Sequence, residues 1–150
     1  MGRIYRQPIE AEAVTAAQDL WEINAPSDAI VVIHKIHLFQ NTDFADAEDE
    51  ILLVEMSTSS GSGSGGSTPT PIKNENSDAA FGGTVEINNT TQGATKTVIE
   101  PMQFSVRGGL FYEPVPSERK VIEPSGRVIV DIEAPADSIT VHGVMVFEEI

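Results

Sequence analysis

The chain has 150 residues, no cysteine, and 9 Lys plus Arg against 23 Asp plus Glu, a formal net charge of −14. That length makes one domain, 1–150, with room for its own core. The missing thiols exclude a disulfide framework, a thiolate metal site and a Cys nucleophile, and the charge excludes partnership with nucleic acid phosphates or anionic lipid.

Met1 to Ile9 is the most basic segment of this acidic chain, with Arg3, Tyr5, Arg6 and Pro8. It reads as an extended N-terminal arm, 1–9, that docks on a neighbour, because Arg and Tyr anchor interfaces. No apolar run in the first twenty residues is long enough for a signal peptide, and no later run spans a membrane. Residues 10–18 are ambiguous: Ala11, Ala13, Ala16 and Ala17 favour helix, but no cap or wide apolar stripe supports one. A strand is expected over 19–23.

Ile23-Asn24-Ala25-Pro26-Ser27-Asp28-Ala29-Ile30-Val31-Val32 recurs as Ile132-Glu133-Ala134-Pro135-Ala136-Asp137-Ser138-Ile139-Thr140-Val141. Proline sets the first corner of a turn, and Asp two residues on bonds back to the backbone. Each copy therefore reads as strand, tight turn, strand, and the two hairpins supply the expected core: Ile30, Val32, Ile36, Leu38, Val130, Ile139, Val141 and Met145. Residues 30–40 form the clearest strand. One face carries Ile30, Val32, His34, Ile36 and Leu38, and the other Val31, Ile33, Lys35, His37 and Phe39. The second face turns charged midway, as where a strand emerges at a surface or an interface. Lys35 and His37 thus join Arg3, Tyr5 and Arg6 as candidate interface residues. His34 and His37, three apart, fall on opposite faces of a regular strand and cannot share a metal.

The acidic connection Asp43 to Glu50 lacks the spacing of a calcium loop, although calcium there stays open. A strand is expected over 51–56. Residues 57–71, Ser-Thr-Ser-Ser-Gly-Ser-Gly-Ser-Gly-Gly-Ser-Thr-Pro-Thr-Pro, read as a flexible Gly/Ser/Thr/Pro surface loop. Gly61-Ser62-Gly63-Ser64-Gly65 matches the letters of a nucleophile elbow without its strand-to-helix context. Residues 72–93 are hard to read beyond a short strand near Val85 and Ile87. Pro101 demotes the strand within 95–106 to an edge or a bulge. Short strands follow over 110–115 and 120–122, then the second hairpin over 127–133 and 138–148.

Many short strands with frequent Pro and Gly turns make an all-β, antiparallel β-sandwich, jelly-roll-like, with a closed barrel as the alternative. No phosphate loop, dinucleotide fingerprint or convergent metal-ligand set is legible, so no catalytic residue, cofactor or metal is expected and the chain does not read as an enzyme.

The opening Met-Gly-Arg-Ile-Tyr, the stretch Ala13 to Ile23 with Ala25-Pro26-Ser27-Asp28, the Gly-Ser-Gly-Gly-Ser-Thr-Pro-Thr-Pro loop and the ending Val146-Phe147-Glu148-Glu149-Ile150 resemble small virion structural proteins of tailed bacteriophages. The resemblance implies a capsid cement or decoration protein, made in the host cytoplasm and placed on the outer capsid surface. It would be a homo-oligomer, a trimer being favoured, bound between capsomers of the major capsid protein, without nucleic acid or membrane partners. The alternative is a carbohydrate- or receptor-binding β-module of a tail or head fibre.

Overall fold

The computed structural model describes residues 2–41 and 50–150. The acidic run therefore lies outside the described residues from Asp43 to Asp49. Two antiparallel sheets pack as a β-sandwich. The first has the order β5 (Ile72–Lys73), β1 (Arg3–Val14), β11 (Ile139–Glu149), β3 (Val31–Gln40), β8 (Leu110–Tyr112), with β9 (Val121–Ile122) also on β3. The second has the order β6 (Thr84–Asn89), β2 (Gln18–Asn24), β10 (Arg127–Ile132), β4 (Ile51–Ser59), β7 (Lys96–Ser105). The pairs are nested along the chain: β1 with β11, β2 with β10, β3 with β9 and β8, β4 with β7.

The inner faces close over Tyr5, Trp21, Phe104 and Phe147, all fully buried, with Ile23, Ile33, Ile36, Val54, Met56, Val130 and Val141 between them. Each such side chain stabilises the fold by about 1.5–3 kcal/mol. The Trp21 indole N–H donates to the Gln7 carbonyl at 3.0 Å, so the largest core residue also ties β2 to β1 across the sandwich. Gly143 makes room for it, because a Cβ there would stand 2.9 Å from the indole ring.

Four sequence expectations need correction. The arm is a strand: β1 pairs with β11 from Arg3 to Val14, and Tyr5 is buried beneath it. Its alternation was diluted by Arg6 and Pro8, which point outward, and by Arg3, which shares the side of Tyr5 and pairs with Glu149. The repeats are not hairpins. Ile23-to-Val32 leaves β2 in the second sheet and enters β3 in the first, and Ile132-to-Val141 does the same from β10 to β11. Because β2 lies antiparallel to β10 and β3 to β11, the two arches stand at opposite ends of the sandwich. The pairing of β3 with β11 shifts register between Ile33 and Lys35, a bulge at His34. An extra residue reverses the alternation beyond it, so the buried set is Val31, Ile33, Ile36 and Leu38, while Ile30 and Val32 are only half-buried. The other expected core residues are buried as anticipated.

The fourth correction concerns residues 57–71. Ser57 to Ser59 belong to β4, and the rest is laid along β6, with bridges from Ser64 to Thr91 and from Ser67 to Ile87. Its glycines serve close approach: a Cβ at Gly63 would stand 2.7 Å from the Thr91 carbonyl oxygen, and one at Gly66 would overlap that of Ile87. Elsewhere the short strand at Val85 and Ile87 is β6, Pro101 sits in edge strand β7 as a proline must, and residues 10–14 are extended rather than helical.

Candidate functional site

Among the described residues, chemistry-bearing side chains gather in two places, one on each sheet. On the second sheet, β2 and β10 turn Asp19, Glu22 and Asp131 outward, and the Gly/Ser stretch and the 89–96 segment cover them. Glu22 accepts from Ser62 Oγ at 2.6 Å and from Gly63 N–H at 2.9 Å, and pairs with Arg127 Nε at 2.8 Å. Asp19 accepts from Gly93 N–H at 2.7 Å. Asp131 accepts from Gln92 Nε2 at 3.0 Å and pairs with Lys96 Nζ at 2.9 Å. The same ammonium lies 3.9 Å from Asp19 Oδ1, too far to satisfy it, and that oxygen is buried without a hydrogen-bond partner.

Burial pushes the Asp19 carboxyl up to about 6, with Asp131 and Glu22 adding to the rise and the Gly93 N–H and Lys96 opposing it. The cluster is thus a polar clamp that fixes two covering loops. Among the described residues no group of three or more His, Cys, Asp or Glu is placed to hold a metal ion. Sequence inspection passed over these residues, although Asp19 and Glu22 in an apolar strand, and Asp131 within Arg-Val-Ile-Val-Asp-Ile, carried a signal of buried charge.

On the first sheet the outer face presents cross-strand rows. One runs Phe111, His37, Val144, Pro8; the next runs Lys35, Val146, Arg6; a third holds Phe39 opposite His142. Phe111 is 65% exposed and Phe39 54% exposed. The His37 ring lies 4.0 Å from that of Phe111, and Phe39 stacks on His142 at 5.5 Å. Burial under these neighbours, and then the Lys35 ammonium, lower the His37 pKa, while Glu113 opposes them. The His142 Nδ1 accepts from Ala11 N–H at 3.3 Å, where the bulge in β1 holds Ala11 at φ 51°. His34 meets the outward Glu148 at 2.9 Å, so it lies on the outer face with His37. The bulge at His34 defeats the opposite-face expectation and brings all three histidines to one surface.

Of the five candidate interface residues, Arg6, Lys35 and His37 come together on this face. Arg3 instead pairs with Glu149 at 2.6 Å at one end of the sandwich. Tyr5 is a core residue, its ring against Phe81 and Phe147 and its hydroxyl donating to the Ala79 carbonyl at 3.1 Å. It anchors the fold and has no surface to offer a partner. A shallow groove of about 370 Å³ between β7 and the β8–β9 segment is lined by Ile99, Glu100, Tyr112, Glu118 and Lys120, without converging on one point. Comparison with protein-family models, curated proteins and solved structures finds no match for this chain.

Proposed function

We propose that the chain is a non-enzymatic virion structural protein of the capsid cement or decoration type. The observation that carries this reading is how the polar groups are used. The most buried carboxylates are engaged with the chain's own loops, whereas the exposed Phe39, Phe111 and Arg6 lie with Lys35 on one sheet face, which suits docking rather than turnover. The nested strand pairing supports a jelly-roll reading, since wrapping one long antiparallel ribbon pairs first strand with last in this way, and jelly rolls recur in capsid and lectin domains. The net charge of −14 suits the outside of a shell better than contact with a packaged genome.

Its partner is then the major capsid protein, with several copies acting together. Co-sedimentation of the purified protein with empty shells of the phage encoding it is the test. Saturable binding that raises the shells' disruption temperature is expected. No binding to shells, combined with calcium-dependent capture on a glycan array, would replace this reading with the sugar-binding one.

A further inference from the structure

We infer that the outer face of the first sheet is a self-association surface, on which a second copy of this chain docks face to face. The inference rests on the assembly reading above and names the occupant of that face. Charge selects the occupant. Among the described residues the face carries Arg6 and Lys35 against Glu10, Glu113 and Glu148, two cations to three carboxylates or a net −1; Asp43, Asp46, Glu48 and Asp49 lie outside the described residues, so −9 of the −10 carried by the described residues falls elsewhere. Two copies meeting through other surfaces bring strong like charge together, while this face adds almost none.

Both strongly exposed aromatics among the described residues lie in the same place, while the second sheet exposes the aliphatic Ile51, Leu53, Val98 and Ile99. Phe39, Phe111, Val144 and Pro8 share the face, and aromatics of this exposure gain most by being covered. Strands β1, β11, β3 and β8 or β9, about 4.8 Å apart and paired over about nine residues at ~3.4 Å each, span roughly 600 Å². Two such faces bury about 1,200 Å² in total, the lower end for a specific interface, so the dimer is weak and depends on concentration. The competing route, edge-to-edge pairing through β7, is obstructed by Pro101 within that strand. A closed two-fold pair differs from the trimer that the resemblance implies.

The test is sedimentation equilibrium on the full chain over a concentration series, without shells. The wild-type protein is expected to show a reversible monomer–dimer equilibrium. Phe111→Glu and Phe39→Glu, both on exposed positions, should each weaken it by about tenfold or more. Ile51→Glu, on an exposed position of the other sheet, should leave it unchanged, and thermal unfolding shows that each variant is folded. A wild-type protein that stays monomeric at every concentration overturns the inference. So does a dimer that Ile51→Glu disrupts and the two Phe variants do not. Shell binding by a monomer removes this inference and keeps the proposed function; a dimer that ignores shells does the reverse.

Discussion

Asp19 gives the sharpest test of the buried clamp. Its carboxyl titrates near 6 in the folded chain against an ordinary value of 3.8, because burial penalises the charged form. The folded state therefore keeps a proton that the unfolded chain has already released. Stability from this group is fully present below about 3.8 and is lost as pH rises through about 6. The gap of about 2 pH units, at about 1.4 kcal/mol each, makes the folded chain about 3 kcal/mol less stable through Asp19 at pH 7 than at pH 3.5.

Asp19→Asn keeps an acceptor for the Gly93 N–H and removes the titration. Urea unfolding of both proteins at several pH values isolates the effect, because the remaining carboxylates contribute alike to each. The stability of the wild type minus that of Asp19→Asn should fall by about 3 kcal/mol between pH 3.5 and 7, most steeply between 4 and 6. A flat difference, or one that rises with pH, refutes the reasoning and means that Lys96 and the Gly93 N–H outweigh burial.

Three further outcomes follow from the packing. Tyr5→Ala empties a fully buried site between Phe81 and Phe147 and should cost about 3–5 kcal/mol in chemical denaturation, and deleting residues 3–7 should leave no cooperative thermal transition. Gly66→Ala drives a Cβ into the Ile87 carbonyl and should cost about 1–3 kcal/mol, whereas Gly108→Ala, whose nearest neighbour would be 3.8 Å away, should change stability by less than about 0.5 kcal/mol. Lys96→Met strips the cationic partner from Asp131, leaving it only Gln92, and should cost about 3 kcal/mol at pH 7 in urea unfolding.

The period-2 pattern in 19–23, 30–40, 51–56, 127–133 and 138–148 located β2, β3, β4, β10 and β11 but not the longest strand, β1, because alternation is a local property of a half-buried extended chain. The turn chemistry of Pro26-Ser27-Asp28 and Pro135-Ala136-Asp137 located two reversals for the same local reason. The tertiary structure decided what these pieces join. Ala-Pro-x-Asp serves a hairpin or a corner between sheets equally well, and only the pairing of β2 with β10 and of β3 with β11 selects the corner. A single bulge at His34 moved every later side chain of β3 to the opposite face and brought His34, His37 and His142 onto one surface; pairing with a strand more than a hundred residues away sets that bulge. Gly and Ser between 60 and 67 carry no alternation, so their place over Asp19 and Glu22 came from hydrogen bonds to residues distant in sequence. Local periodicity tells that a residue is extended; which partner strand it meets, and so which face it shows, depends on contacts that short windows of sequence do not contain.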